Sequence, residues 1–115
     1  MDLGLRGKVA VVTGGSEGIG RAAARSLGAE GASVVICARR ANVLQHAAND
    51  IAEATGAVIV PVQADVRNVG DVEHVIQTAV DRFGRLDILV NNAGTSAAAP
   101  FESVTDEAWQ ADLDL

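Results

Sequence analysis

Val9-Ala10-Val11-Val12-Thr13-Gly14-Gly15-Ser16-Glu17-Gly18-Ile19-Gly20 reads as a buried strand, a glycine-rich turn and the opening of a helix. Val9 to Val12 is a short apolar run rich in β-branched residues, which suits a strand covered on both faces. After Gly20 the sequence becomes Arg21-Ala22-Ala23-Ala24-Arg25-Ser26-Leu27, an alanine-rich helix former. The glycines between them have three jobs. They let the chain turn sharply, let a ligand reach bare backbone, and let the helix pack close to the strand. The start of the helix then offers unpaired N–H groups and a positive dipole end to an anion. Gly18-Ile19-Gly20-Arg21-Ala22-Ala23 also matches G-x-G-x-x-G/A, but that register falls inside the helix and is set aside as coincidence. The informative spacing is Thr13-Gly14-x-x-x-Gly18-x-Gly20, directly after a strand.

The chain has 115 residues, enough for one small domain with its own core. It is 49% hydrophobic and only 3% aromatic, which fits an alanine- and valine-rich α/β protein and argues against disorder. The formal charge of -6 argues against nucleic acid or an anionic membrane as partner, since either favours a basic face. Local backbone amides can still bind an anion against that global charge. One cysteine, Cys37, excludes an intrachain disulfide, fits a reducing compartment and reads as a small core residue. No stretch approaches a membrane span, and a soluble cytoplasmic protein is expected.

Further on, Ser33 to Ala38 reads as a second strand, so strand, helix and strand fall within about thirty residues, the span of a βαβ unit with a right-handed crossover. The first helix is expected from Gly18 to Gly28 or Gly31. A second helix is expected over 42–55, with Asn42 and Gln45 at capping-box spacing, Leu44, Ala48, Ile51 and Thr55 on one face, and Gly56 as its stop. Residues 57–62 read as a third strand, and Pro61 marks it as an edge. Asn68 is the expected cap of a third helix, with Asp71 at its positive end, a stripe of Val72, Val75, Ile76, Ala79, Val80 and Phe83, and Gly84 as its stop. Residues 86–90 read as a fourth strand whose apolar edge is guarded by little charge beyond Asp87. A loop over 95–100 and a helix capped by Thr105 and packed through Trp109 follow. His46 and His74 fall on different helices without a second ligand at metal spacing, so both read as surface residues and no metal is expected. The order βαβαβαβ argues for a parallel sheet covered by helices on both faces.

Two glycine-bearing motifs, each after an expected strand, carry a resemblance. Thr13-Gly14-x-x-x-Gly18-x-Gly20 and Asn91-Asn92-Ala93-Gly94, with Asp65-Val66 between them, together resemble the short-chain dehydrogenase/reductase family. The resemblance implies a Rossmann-type, doubly wound parallel α/β sheet of strand order 3-2-1-4. Residues 1–115 would be the N-terminal portion of a single NAD(P)-binding domain, ending before the catalytic half.

The resemblance also implies roles. Gly14, Ser16, Glu17, Gly18, Ile19 and Gly20 would form the nucleotide-binding turn. Ser16 either donates its hydroxyl to a phosphate or only stabilises the turn. Glu17 stands where some NADP-preferring members carry a basic residue. Ile19 would pack beneath the nicotinamide, the alternative being plain core. Asp65 would accept from the exocyclic amine of adenine and the Val66 backbone would contact the ring; the alternative for Asp65 is a turn acid. Asn91 would tie the sheet together, while the backbone of Asn92, Ala93 and Gly94 lines the cofactor ribose. In Rossmann-type folds an acid at the end of the second strand, about twenty residues after the turn, commonly binds the ribose 2′-OH. Here that position is Ala38, followed by Arg39 and Arg40. A guanidinium can grip a 2′-phosphate through paired hydrogen bonds, so NADPH is expected in preference to NADH. The alternative is two solvated loop charges.

The family's hydride transfer between nicotinamide and a carbonyl or alcohol uses a Ser and a Tyr-x-x-x-Lys unit. This chain has no tyrosine, and its one lysine is Lys8. No catalytic residue is therefore named, and the 115-residue chain alone is expected to be inactive. One reading is the cofactor-binding half of an NADP(H)-dependent oxidoreductase, which acts on a small carbonyl or alcohol and forms a homo-oligomer when complete. The other is a non-catalytic nucleotide-binding or partner-binding module.

Overall fold

The computed structural model describes residues 4–92. Ala93, Gly94, the loop over 95–100 and the helix expected at Thr105 lie outside the described residues. Among the described residues four strands and three helices alternate: β1 (Val9–Thr13), α1 (Gly18–Ala29), β2 (Ser33–Ala38), α2 (Ala41–Thr55), β3 (Ile59–Gln63), α3 (Val69–Phe83) and β4 (Ile88–Val90). The strands form one parallel sheet in the order β3-β2-β1-β4. Both the parallel sheet and its order follow the expectation.

Two-residue alternation divides the core between the two faces of the sheet. On one face Val12, Val34 and Ile36 pack with Ala24 of α1 and with Leu44, Ala47, Ala48 and Ile51 of α2. On the other, Val9, Val11, Val35 and Cys37 pack with Val75 and Ala79 of α3. Residues of either parity are therefore buried in β1 and β2, which is why these strands read as unbroken apolar runs. Each fully buried Val or Ile side chain contributes roughly 1.5–3 kcal/mol.

The helix ends show which local signals hold. Asn68 caps α3, its Oδ1 accepting from the Asp71 amide at 3.1 Å. Gly56 and Gly84 close α2 and α3 in the left-handed conformation, at φ 73° and 79°. The capping box at Asn42 and Gln45 does not form. Arg40 stands at the N-cap with no side-chain cap bond, which places Asn42 inside the helix, and Gln45 donates to Asn49 instead. Val80 is exposed rather than part of the α3 stripe. At 3.6 residues per turn it lies about 80° round the helix from Val72, at the margin of the buried face.

Among the described residues β3 is an edge, as Pro61 implies, because there it pairs only with β2. It starts two residues later than expected, although the Val58 carbonyl still accepts from the Val34 amide at 3.0 Å. β4 is shorter than expected because Leu86 and Asp87 precede its ladder. Asp87 does not guard the outer edge of β4 but faces β1. Its Oδ2 accepts from the Val9 amide at 2.9 Å, and its own amide donates to the Val9 carbonyl at 2.9 Å. The Arg85 guanidinium grips the same carboxylate through two 2.8 Å bonds and holds Asp87 below the usual carboxylate range.

Candidate functional site

In a parallel sheet every strand delivers its last residue to the same edge. The chain leaves β1 toward β2 on one side, while β4 lies on the other, so the strand order reverses between β1 and β4. A crevice at such a reversal, outside the carboxyl ends of the strands, is where open α/β sheets bind ligands. Four segments reach this edge: the turn after Thr13, Arg39 and Arg40 after β2, Asp65 after β3, and Asn91-Asn92 after β4.

Thr13 joins two of them. Its buried hydroxyl lies 3.2 Å from Asn91 Oδ1 and 3.4 Å from the Val90 carbonyl, to either of which it can donate, and it accepts from the Asn92 amide at 2.9 Å. Asn91 thus ties the end of β4 to the end of β1. The turn is anchored on its other side, where the Gly14 and Gly15 amides donate to the Cys37 carbonyl at 2.9 and 3.3 Å.

Two glycines in the turn answer to close packing. A Cβ on Gly15 would stand 2.7 Å from Ile36 Cβ. A Cβ on Gly20 would collide with the Gly14 carbonyl group and stand 2.9 Å from Asn92 Nδ2. Gly14 and Gly18 instead take positive φ, at 67° and 56°. No atom of the described residues lies within 4 Å of the position a Gly18 Cβ would take, so among them the backbone there borders open space.

The polar groups of the turn fit an anion. Glu17 is the N-cap of α1, but its side chain makes no cap bond. The first helical amide bond to the turn is Arg21 N–H to the Glu17 carbonyl, so the amides of Gly18, Ile19 and Gly20 have no protein acceptor among the described residues. Ser16 is buried, yet its hydroxyl has no hydrogen-bond partner among the described residues. A buried hydroxyl left unpaired is costly, and a phosphate oxygen at this turn would satisfy it. Ile19 is 77% exposed, so it is not part of the core formed by the described residues.

Arg39 and Arg40 are exposed, and neither side chain has an ion pair or hydrogen bond among the described residues. The neighbouring backbone is fixed, however. Gln63 Nε2 donates to the Arg39 carbonyl at 3.0 Å, and the Ala64 amide donates to the Ala38 carbonyl at 3.0 Å. The missing cap leaves the first amides of α2 unpaired directly after Arg39, so this corner is doubly suited to a negative group.

Asp65 serves in a turn. The Asn68 amide donates to the Asp65 carbonyl at 2.9 Å, and the Asp65 amide donates to Asp71 Oδ2 at 2.8 Å. Arg67 Nε and Nη2 reach the two Asp65 oxygens at 3.1 and 2.9 Å, and the Arg67 amide adds a 3.0 Å bond. Arg67 thereby holds the Asp65 carboxyl down at about 2, with Arg39 contributing from farther away. One acceptor position on Oδ2 is still available to a ligand N–H. The side chain of Val66 packs toward α3. Burial pushes the Cys37 thiol up to about 11 and makes it inert. His46 and His74 are exposed, and no group of three His, Cys, Asp or Glu side chains suited to a metal occurs among the described residues. No helix among them is long and apolar enough to cross a membrane.

Motif reading locates the turn residues, Arg39, Asp65, Val66 and Asn92 at this edge. It assigns no role to the Thr13 hydroxyl or to Arg67. The Asp65-x-Arg67 spacing, repeated in reverse as Arg85-x-Asp87, is the signal that could have pointed to the second.

The sequence profile of the short chain dehydrogenase family matches residues 8–115, and the chain belongs to that family. It is 41% identical over 111 residues to an uncharacterized oxidoreductase of Methylorubrum extorquens, covering 96% of this chain and 45% of that protein. A 3-oxoacyl-[acyl-carrier-protein] reductase of Synechocystis is 40% identical over the same shares. Among solved structures, L-sorbose reductase from Gluconobacter frateurii, in complex with NADPH and L-sorbose, matches with a TM-score of 0.79 and 45% identity, over 83% of this chain and 36% of that one. The chain spans less than half the length of these relatives.

Proposed function

We propose that this chain is the cofactor-binding part of an NADP(H)-dependent oxidoreductase that moves hydride between a nicotinamide and a carbonyl or alcohol. The observation that carries the NADP reading is Arg39, an unpaired guanidinium directly after β2 where Ala38 offers no acid, beside the uncapped start of α2. In this reading the Gly18–Gly20 amides and the Ser16 hydroxyl take the diphosphate. Arg39 and the first amides of α2 take the 2′-phosphate, with Arg40 adding charge at the rim. The free acceptor on Asp65 and the backbone of Val66 meet the adenine. Asn92, Ala93 and Gly94 line the ribose, and Ile19 offers an exposed apolar surface to the nicotinamide ring. Glu17 stays at the N-cap, exposed and without a side-chain cap bond.

The bound cofactor supplies the hydride chemistry. Residues 1–115 hold no tyrosine, so the reading gives them binding and orientation rather than proton transfer. They form the N-terminal portion of one domain of a homo-oligomeric, cytoplasmic enzyme. The NADPH-bound L-sorbose reductase and the Synechocystis reductase support a carbonyl compound as the substrate class.

The test is the affinity of the complete protein for NADPH and NADH, measured by calorimetry before and after Arg39→Ala. Loss of one or two charge-assisted hydrogen bonds should weaken NADPH about tenfold or more and leave NADH within about twofold. NADH binding as tightly as NADPH in the unaltered protein would refute the NADP assignment.

A further inference from the structure

The ends of β2 and β3 lie side by side, with Ala38 paired to Gln63, so Arg39 and Asp65 project from adjacent strands at the same edge. Arg39 lies one residue and Asp65 two residues beyond that pair, and Arg39 is near enough to help hold the Asp65 carboxyl down. They do not pair. Asp65 is held by Arg67, and Arg39 keeps its guanidinium clear of any ion pair among the described residues.

Resting on the NADP reading above, we infer that Arg67 is a positioning residue for cofactor choice: by occupying the Asp65 carboxylate it leaves Arg39 available to a 2′-phosphate. An acid beside a phosphate-binding arginine acts against binding in two ways. It competes for the guanidinium, and it repels the incoming anion. Arg67 removes both effects without removing the acid.

An exposed ion pair usually contributes little. This one differs in geometry. The guanidinium meets both carboxylate oxygens, and the Arg67 amide bonds the same carboxylate. Such two-point pairing fixes direction as well as charge. The backbone of the pair is fixed as well. The Asp65 carbonyl accepts from Asn68, its amide donates to Asp71, and Asn68 caps α3. Asp65 therefore faces Arg67 across a closed turn, while Arg39 must reach across from another strand.

The test compares Arg67→Ala, Asp65→Asn/Arg67→Ala and Arg39→Ala in the complete protein at one ionic strength. The readout is the ratio of NADPH to NADH affinity, which loss of a merely structural contact would leave unchanged. Arg67→Ala should lower this ratio about five- to tenfold, as the freed Asp65 turns to Arg39. Adding Asp65→Asn should restore the ratio, whatever it does to the two affinities in common. An unchanged ratio in Arg67→Ala, or a lowered ratio that Asp65→Asn does not restore, overturns the role of Arg67. If Arg39→Ala still collapses the ratio in that case, the NADP reading survives. If the unaltered protein shows no preference for NADPH, both fail together.

Discussion

Replacing Gly20 with alanine sets two known effects against each other. Gly20 lies in the first turn of α1, where alanine is the better helix former by up to about 1 kcal/mol. Against that gain stands the position of the added methyl group. It would sit 2.8 Å from the Gly14 carbonyl carbon and 2.9 Å from Asn92 Nδ2. The first of these is backbone and has no rotamer to escape into. Moving it disturbs the Gly14 amide bond to the Cys37 carbonyl, now 2.9 Å. Overpacking of this kind costs about 1–3 kcal/mol, and a weakened hydrogen bond adds about 1. The steric term wins, and Gly20→Ala should destabilise the protein by about 1–3 kcal/mol net. Urea unfolding, read as a fall in midpoint at constant slope, measures the difference. Stability within about 0.5 kcal/mol of the unaltered protein, the range of an ordinary surface change, would refute the reasoning.

Two further outcomes follow from the described contacts. Thr13→Val keeps the shape but leaves the Asn92 amide without its acceptor, which should cost about 1–3 kcal/mol in the same urea assay; recovery in Thr13→Ser, which restores the hydroxyl, separates the hydrogen bond from packing. The Cys37 thiol, raised to about 11 by burial, should resist a thiol reagent at pH 8 until the protein unfolds. Since the unfolded thiol ionises first, the stability that the buried neutral thiol contributes is complete below about pH 9 and is lost as pH rises toward 11. Rapid labelling of the folded protein would contradict this.

Much of the fold is legible in local pattern because local causes set it. Val9–Val12 and Val34–Cys37 are apolar at every position since both faces of β1 and β2 are covered. Asn68, Gly56 and Gly84 end or start helices by geometry that depends on a few neighbouring residues. Failures occur where a competing helix start or a distant element decides. Asn42 has the right neighbours for a cap, yet α2 begins earlier, where the Arg40 carbonyl accepts from the Leu44 amide at 3.0 Å. Asp87 looks like an edge charge in one dimension and proves to be a clamp on Val9, 78 residues away. In the site, the turn glycines and Arg39 are visible by spacing. The Thr13 hydroxyl is not, because its partners Asn91 and Asn92 come close only when β4 lies against β1.

That same placement of β1 has a consequence during synthesis. Its β2 side can be paired once Ser33 to Ala38 have emerged, but its other side waits for Ile88 to Val90. At roughly 5–20 residues per second, the ribosome takes about 2–10 s to make the intervening stretch. For that interval the nascent chain presents an unpaired, almost wholly apolar strand edge, which is the kind of surface that recruits a second chain. Among the described strands, β1 is thus made before both of its neighbours and is flanked on its second side only when β4 arrives.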